Sequence, residues 1–442
     1  MTVPLPNPVV LVPGITATAL RDEYPVTPET IWSAVLKKEY ERTALHPDQL
    51  RYEALEPARV RPDQVFEVAY RELIDELRHN LTDRSDAPVP VYPFPYDWRQ
   101  PLDTVEAQLR AFIDEVIERT SLMRHYFADG YRYPDGKVNL VGHSMGGLVI
   151  AGTLQRFGAA ARVEKVVTLA APFRGSLEAV LKLTTGLANL GSSDSSSRER
   201  ETARLTPALY QLLPSFIGAV QAGPGVVDNL LDPGAWQPSV AQTLGRYLEI
   251  HGQQAVTPAQ AQAAATALFN GLLNGARQHR QRLEALSLEQ AGLGVNDWLC
   301  VAGVGSQTRV YIRIELDPAG QPRLVIDNTA QMQDGWEAED PDARIRTGDG
   351  TVPYLGARAS FIPVEKVVCV SPGDFGYWEV QDKVLAREAG FHGILPNMDM
   401  LHRLIVRFFT GAADPHGNTW GRVPPDLKAA AEWNPPLTLQ AR

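Results

Sequence analysis

Short runs of apolar, β-branched residues alternate along the chain with longer stretches in which apolar residues recur every three or four positions. Runs of the first kind predict strands and stretches of the second kind predict amphipathic helices. The predicted strands cover residues 9–12, 138–141, 165–170, 298–304 and 367–370. The predicted core helices cover residues 102–120, 148–157 and 398–409. This alternation predicts an α/β fold, with a mostly parallel central sheet and helices on both faces.

The strand pattern stops between residues 177 and 296, where the sequence becomes rich in Leu and Ala. We interpret this stretch as a helical cap, with the serine-rich segment 191–200 as a mobile loop. The cap is inserted into a discontinuous core of residues 1–176 and 297–412. Within the core, Ile312, Ile314 and Leu316 alternate with polar residues before a turn, which predicts a hairpin. The Pro-containing residues 413–442 are predicted to form a surface tail.

The strongest chemical signal is the segment GHSMGG, a G-x-S-x-G motif between a predicted strand and a predicted helix. In that setting the motif forms a nucleophile elbow, in which a strained turn presents the serine hydroxyl above the sheet. Only glycine at positions 142 and 146 avoids a clash with the neighbouring chain. The pattern therefore predicts Ser144 as a nucleophile. The alternative is a Gly-rich turn that carries the motif by chance.

A serine nucleophile needs a base and an orienting carboxylate, which follow it along this fold in the order acid, then histidine. Asp349, in the loop GDGTVP, is the candidate acid, and Asp374 competes with it. Chain order leaves two of the nine histidines as the base, His392 and His402. We favour His392, because it lies in a loop segment before a helix, whereas His402 lies inside the predicted helix.

The oxyanion hole should combine two backbone N–H groups, one from the residue after the serine and one from the loop after the first strand. These predictions name Met145 and Ile15, with Thr16 as the next choice for the second donor. The alternative is a plain turn that ends the first strand.

Composition narrows the function further. The chain has 442 residues, with 42 Lys and Arg against 52 Asp and Glu, a formal net charge of −10. This balance argues against nucleic acid as a partner. Two cysteines, Cys300 and Cys369, are too few for a disulfide scaffold. The amino terminus has neither a signal-peptide pattern nor an apolar run long enough to span a membrane, so we expect a cytoplasmic protein.

Four segments in order make the chain resemble the lecithin:cholesterol acyltransferase-like family of α/β-hydrolases. They are VVLVPGITATAL (residues 9–20), PYDWR (95–99), GHSMGG, and GDGTVP followed by His392. The PYDWR segment discriminates best, although alone it would also fit a structural corner in which Asp97 pairs with Arg99. Two departures stand out: Ala17 and Thr18 replace the usual Gly and small polar residue, and no cysteine lies where the animal members have a lid disulfide.

The resemblance implies an α/β-hydrolase and favours Asp349 as the acid. It implies hydrolysis of carboxylic esters, of lipid or acyl type, with no metal and no organic cofactor. Acyl transfer to an alcohol, and a partner-gated effector or scaffold, remain the alternatives; a partner protein is unknown. The apolar cap suggests transient contact with a membrane surface and an acyl pocket. The candidate pocket residues are Thr16, Trp98, Leu212 and Leu213.

Overall fold

The structure is a computed structural model that describes residues 4–34, 37–54, 58–186, 197–254, 257–327, 332–376 and 390–442. Its central sheet has six strands: β1 (Val9–Val12), β2 (Val91–Pro93), β3 (Val138–His143), β4 (Val163–Leu169), β5 (Trp298–Gly303) and β6 (Val367–Val370). Their order in the sheet is β6-β5-β4-β3-β1-β2, and every neighbouring pair is parallel. The five predicted strands are all present, with bounds shifted by at most two residues.

The edge strand β2 was not predicted from the sequence. It has three residues and ends at Pro93, which cannot donate a hydrogen bond to a neighbouring strand. Such a segment lacks the apolar run that identifies the inner strands.

Helices cover both faces of the sheet and make up most of the cap. They are α1 (Glu67–Asn80), α2 (Leu102–Ser121), α3 (Arg124–Ala128), α4 (Met145–Phe157), α5 (Leu177–Thr185), α6 (Ser197–Arg204), α7 (Pro207–Gln211), α8 (Ser239–His251), α9 (Pro258–Glu284), α10 (Gly390–Ile394) and α11 (Asp399–Thr410). Four-residue helices span Tyr40–Thr43, Pro341–Arg344 and Tyr354–Ala357.

Two separate apolar clusters form on the two faces because successive strand residues point to opposite sides. On β1, Val10 and Val12 pack with α2 and α4, whereas Val9 and Leu11 pack with α1 and α11. All four side chains are fully buried. A strand buried on both faces has a continuous apolar sequence, which explains why the inner strands were predictable.

The remaining strands lie outside the central sheet. They span Thr18–Asp22, Glu29–Ser33, Lys37–Lys38, Leu45–His46, Gln49–Glu53, Val60–Val65, Val220–Ala222, Thr308–Arg309, Ile312–Leu316, Pro322–Val325, Met332–Gln333, Trp420–Gly421 and Gln440–Ala441. Those between residues 18 and 65 form two antiparallel sheets beside the loop that follows β1.

The predicted cap is mostly helical, but it also contributes a strand. Val220–Ala222 pairs in parallel with Ile312–Leu316, which in turn pairs with Pro322–Val325 as the predicted hairpin. The three strands therefore join residues on either side of the expected boundary at residue 297. Of the proposed mobile loop, residues 191–196 lie outside the described part of the chain, and residues 197–200 begin α6.

Helix α9 attaches the cap to the core through buried polar contacts. The guanidinium of Arg280 donates to the carbonyl oxygen of Phe173 in the core and to those of Gln211 and Leu213 within the cap. The His279 ring bonds through Nε2 to Glu106 of α2 at 2.9 Å. Both side chains of this second contact are buried, and burial lowers the pKa of His279.

Residues 413–442 lie on the surface and are anchored to β6, the strand at one edge of the sheet. Arg422 exchanges backbone hydrogen bonds with Cys369 of β6, and its side chain pairs with Asp374. The Trp433 indole donates to the Val367 carbonyl at 2.9 Å. In the described ranges, no helix is both long and apolar enough to cross a membrane.

Candidate active site

The elbow serine lies in a strained turn between β3 and α4. Ser144 has φ 52° and ψ −128°, in a region that residues with a side chain rarely adopt. Helix α4 begins at Met145, three residues before the predicted start at 148. The two glycines after Met145 weaken the helical signal in the sequence, although the turn requires them.

Gly146 lies where β1 passes closest to the elbow. A Cβ added there would collide with the carbonyl oxygen of Val12 and lie 2.7 Å from that of Pro13. A Cβ on Gly147 would collide with the Ala171 side chain. Because the obstacle at Gly146 is backbone, it cannot move aside as a flexible side chain could.

We therefore expect Gly146→Ala to destabilise the protein by roughly 3 kcal/mol, at the upper end of the cost of overpacking. Gly271→Ala is the matched control, because Gly271 lies within α9 and an added Cβ there meets nothing within 4 Å. That control should raise stability by up to about 1 kcal/mol through helix propensity. Urea unfolding of both variants measures the difference. Equal stability of the two variants would contradict the close approach.

Ser144, His392 and Asp349 form a continuous hydrogen-bonded chain. The Ser144 Oγ lies 2.9 Å from His392 Nε2, and His392 Nδ1 lies 2.7 Å from Asp349 Oδ2. All three side chains are buried, with exposures of 6%, 6% and 1% respectively. The backbone N–H of His392 also donates to the Asp349 carbonyl at 3.1 Å. The structure thus brings together the three residues that the sequence predicted as catalytic.

The second oxygen of Asp349 is held by backbone. Its Oδ1 accepts the N–H groups of Thr351 at 2.9 Å and Val352 at 2.7 Å. Gly303, the last residue of β5, allows the close approach, since a Cβ there would lie 2.5 Å from Asp349 Cβ. These contacts leave Oδ2 directed at His392.

The competing residues lie in other surroundings. Asp374 accepts hydrogen bonds from Arg422 Nε and Nη2 at 2.8 and 2.9 Å and from the Ser371 N–H at 2.8 Å. His402 is buried inside α11, where Nε2 lies 2.8 Å from the Pro396 carbonyl oxygen. Neither residue belongs to the series of hydrogen bonds that links Asp349 and His392 to Ser144.

The loop of residues 13–18 lies beside the elbow because Val12 pairs with Gly142 in register. A Cβ on Gly14 would lie 3.0 Å from Ser144 Cβ, so the two segments are in contact. Ile15 is buried, and Thr16 has a positive φ of 62°. The predicted donors Ile15 and Met145 are therefore on the two segments that flank Ser144.

Aromatic side chains hold this loop at several points. Tyr96 donates its hydroxyl to the Pro13 carbonyl at 2.8 Å, and the Trp98 indole donates to the Thr18 carbonyl at 3.2 Å. The Trp32 indole donates to the Thr16 carbonyl at 3.2 Å. Two of these anchors belong to the PYDWR segment, so that segment supports the loop on which Ile15 lies.

The charged residues of the same segment form a buried ion-pair cluster. Arg99 binds both oxygens of Asp97 at 2.8 Å and reaches Glu53 at 3.2 Å. Burial opposes ionisation of Asp97, but the charge and hydrogen bonds of Arg99 outweigh it and keep the pKa of Asp97 below its ordinary value. The pairing that the sequence suggested for a structural corner is present.

Two residues near the site were not predicted as functional, Tyr70 and His143. His143 was considered only as a base and excluded by chain order. Tyr70 lies on the buried side of α1, where its hydroxyl is the one polar group among Leu73, Ile74 and Leu77. A polar atom among these apolar residues was the only hint in the sequence that Tyr70 has a functional contact, and it is a weak one.

A small apolar cavity borders the loop. It has a volume of about 30 Å³, and its walls include Thr16 and Trp98. Its other walls come from Ile15, Trp32, Tyr40, Lys182, Glu199, Thr202, Ala203, Thr206 and Leu209. Lys182 and Glu199 form an ion pair. Leu212 and Leu213 do not line this cavity; both are buried, and their carbonyl oxygens accept hydrogen bonds from the Ser176 N–H and the Arg280 guanidinium.

Among the residues that the structure describes, no group of three or more His, Cys, Asp or Glu side chains is arranged to hold a metal ion.

Comparison with known proteins supports the resemblance. The family model described as lecithin:cholesterol acyltransferase matches residues 53–239, which include the PYDWR segment and the elbow. This match confirms the resemblance suggested by the motifs. No curated protein sequence matches the chain significantly.

Solved structures that match the chain include the following two. "The crystal structure of Tle4-Tli4 complex" has 17% sequence identity, covers 92% of this chain and 99% of the other, and gives a TM-score of 0.61. A Bacillus licheniformis lipase, BlEst2 in mature form, has 15% identity, covers 57% of this chain and 76% of the other, and gives a TM-score of only 0.22. The first likeness extends over nearly the whole chain. The predicted α/β-hydrolase fold is confirmed.

Proposed function

We propose that the protein is a serine hydrolase that cleaves carboxylic esters, of lipid or acyl type, through an acyl-enzyme on Ser144. The observation that carries the proposal is the hydrogen-bonded chain from Ser144 through His392 to Asp349. A hydroxyl is a weak nucleophile, and this arrangement supplies both the base and the carboxylate that it needs. The family match favours acyl-ester hydrolysis or acyl transfer over other chemistry on this fold.

Each group has one task in the proposed reaction. Ser144 Oγ attacks the ester carbonyl carbon while its proton moves to His392 Nε2. Asp349 accepts a hydrogen bond from His392 Nδ1–H, and its negative charge stabilises the imidazolium that forms. The N–H groups of Ile15 and Met145 stabilise the negative oxygen of the tetrahedral intermediate. His392 then returns the proton to the departing alcohol, which leaves the acyl group on Ser144.

The second half of the reaction distinguishes a hydrolase from a transferase. His392 removes a proton from water or from an acceptor alcohol, whose oxygen attacks the acyl carbon. As the bond from that carbon to Ser144 Oγ breaks, His392 returns the proton to Oγ and the acid or the new ester leaves. Hydrolysis is our primary proposal, and acyl transfer is the second because of the family match. Both use the same three residues, so the acceptor decides between them.

The cavity beside Thr16 and Trp98 is our candidate entrance to an acyl pocket. Its volume of about 30 Å³ holds little more than one water molecule. Pockets for small ligands are about tenfold larger or more. An acyl chain therefore requires this space to widen, and a cap that opens on contact with a partner or a membrane surface would provide such widening.

Hydrolysis of p-nitrophenyl esters with acyl chains of two to sixteen carbons tests the proposal. We expect Ser144-dependent activity that increases with chain length, and labelling of Ser144 by a fluorophosphonate probe. A phospholipid substrate and an added alcohol extend the assay to lipid specificity and transfer. Equal activity on short and long chains would contradict the lipid preference. Absence of both activity and labelling in the folded protein would instead favour the partner-gated effector or scaffold.

A further inference from the structure

A second chain of hydrogen bonds connects the two sides of the candidate site. The Gly14 N–H donates to the Tyr70 hydroxyl at 2.9 Å. The same hydroxyl lies 2.8 Å from His143 Nδ1, and His143 Nε2 lies 3.0 Å from the His392 carbonyl oxygen. The chain therefore runs from the loop that carries Ile15 to the backbone of the proposed base.

The proton positions in this chain follow from its two ends. The Gly14 N–H can only donate and the His392 carbonyl can only accept. Since the Tyr70 oxygen accepts from Gly14, its own proton is available for His143 Nδ1. A neutral His143 then carries its proton on Nε2 and donates it to His392. One arrangement of protons thus satisfies every group in the chain.

Burial keeps this arrangement uncharged. Tyr70 and His143 have exposures of 1% and 4%. Burial, together with the neighbouring charge of His392, holds the pKa of His143 well below its ordinary value. Burial also raises the pKa of Tyr70. The His143 ring lies 4.8 Å from the His392 ring, so a neutral His143 avoids repelling the imidazolium that forms there during catalysis.

We propose that Tyr70 and His143 are positioning residues that hold the oxyanion loop and the base His392 in a fixed relative arrangement. The assignment rests on the proposed function of Ser144 and His392. Asp349 orients the His392 ring through Nδ1, and the other hydrogen bonds of its carboxylate go to Thr351 and Val352 rather than to the loop of residues 13–18. The Tyr70 hydroxyl instead touches the loop directly and reaches the base through a single side chain. Hydrolysis requires the oxyanion loop and His392 to be in position at the same time, because the base and the oxyanion donors act in the same transition state.

Tyr70→Phe tests the proposal, since it keeps the ring and removes only the hydroxyl. We expect kcat to fall about 10- to 100-fold, because a misplacement of about 1 Å between catalytic groups can cost about 100-fold, while KM changes less than about threefold. The fluorophosphonate labelling rate of Ser144 should fall with kcat. Affinity for a trifluoromethyl ketone, which forms a tetrahedral adduct with the serine, should weaken by a similar factor. Affinity for a carboxylate product should not.

Tyr126→Phe is the matched control. Tyr126 is also 1% exposed, and its hydroxyl donates to the Pro6 carbonyl at 2.7 Å, outside the candidate site. Tyr70→Phe loses two hydrogen bonds of a buried tyrosine and Tyr126→Phe loses one, so thermal unfolding should shift in both. Only Tyr70→Phe should change kcat and the affinity for the ketone.

A double-mutant cycle with His143→Gln separates positioning from packing. If both residues act through one chain, the loss of kcat in the double variant should be close to the larger single loss. Losses that multiply would indicate independent effects and overturn the proposal. An unchanged labelling rate in Tyr70→Phe, with labelling of the wild type intact, would overturn this assignment alone. Failure of the folded wild type to label at all would overturn the proposed function and this assignment together.

Discussion

Ser144→Ala is expected to lower kcat for ester hydrolysis by about 10⁶-fold, the loss typical of removing a serine nucleophile. Without Oγ, no acyl-enzyme forms, and His392 has no hydroxyl to deprotonate. The remaining activity would come from substrate binding and from the oxyanion donors, which the substitution leaves in place. Steady-state rates on the best p-nitrophenyl ester measure the effect.

The variant should fold normally, because Ser144 makes its side-chain hydrogen bond with His392 and alanine removes only one oxygen atom. The positive φ at this position strains serine and alanine alike. Thermal unfolding of both proteins provides the control. A folded variant that keeps more than a hundredth of the wild-type rate would show that Ser144 is not the nucleophile.

The nucleophile region was predictable because several local signals agree there. An apolar run, a glycine-rich turn and an apolar helix all point to one strand-turn-helix unit, and the structure contains it as β3, Ser144 and α4. The turn is so restricted that few residue types fit at Gly146. The catalytic roles of Ser144, Asp349 and His392 stay predictions, although their contacts fit those roles.

The antiparallel strands after β1 were not predictable in the same way. Val60–Val65 has the sequence VRPDQV, with two charged residues and a proline, and only Val65 is buried. Its position depends on pairing with Thr18–Asp22, whose residues lie 38 to 47 positions before their partners. Pairing of this kind leaves little trace in a local pattern, because tertiary contacts override the weak intrinsic preferences of strand residues.

The support of the oxyanion loop was hidden for a related reason. Trp32, Tyr70 and Trp98 come from three distant parts of the chain and meet only in the folded protein. Trp32 and Tyr70 look like ordinary buried aromatic residues in the sequence, and Trp98 stands out there only through the PYDWR segment and as a candidate pocket residue. Besides packing in the core, they hydrogen-bond to the backbone of residues 13–18 and hold that loop, and burial alone does not reveal this role.

Asp349→Asn is expected to lower kcat by about 10⁴-fold with little change in KM. The reason lies in how the structure holds the carboxylate. Oδ1 accepts two backbone N–H groups, from Thr351 and Val352, so the asparagine must keep its oxygen at that position. Its amide nitrogen then faces His392 Nδ1 and donates a hydrogen bond to it. This interaction favours the tautomer with the proton on Nε2, which cannot accept a proton from Ser144.

Asp374→Asn is the matched control for that experiment. Asp374 is the other candidate from the sequence, equally buried, but it pairs with Arg422 and lies outside the chain that contains Ser144. Removing its charge should cost about 2 kcal/mol of stability, as expected for hydrogen bonds to a charged group whose partner, Arg422, is partly exposed, and leave kcat within about twofold of the wild type. Kinetics and urea unfolding of both variants separate the effect on turnover from the effect on stability.

If Asp374→Asn, rather than Asp349→Asn, abolished turnover while the protein remained folded, the acid would be misassigned. A large loss in Asp349→Asn alone would instead tie the rate to the tautomer of His392, because a glycine-flanked carboxylate with no catalytic role would have no reason to affect turnover.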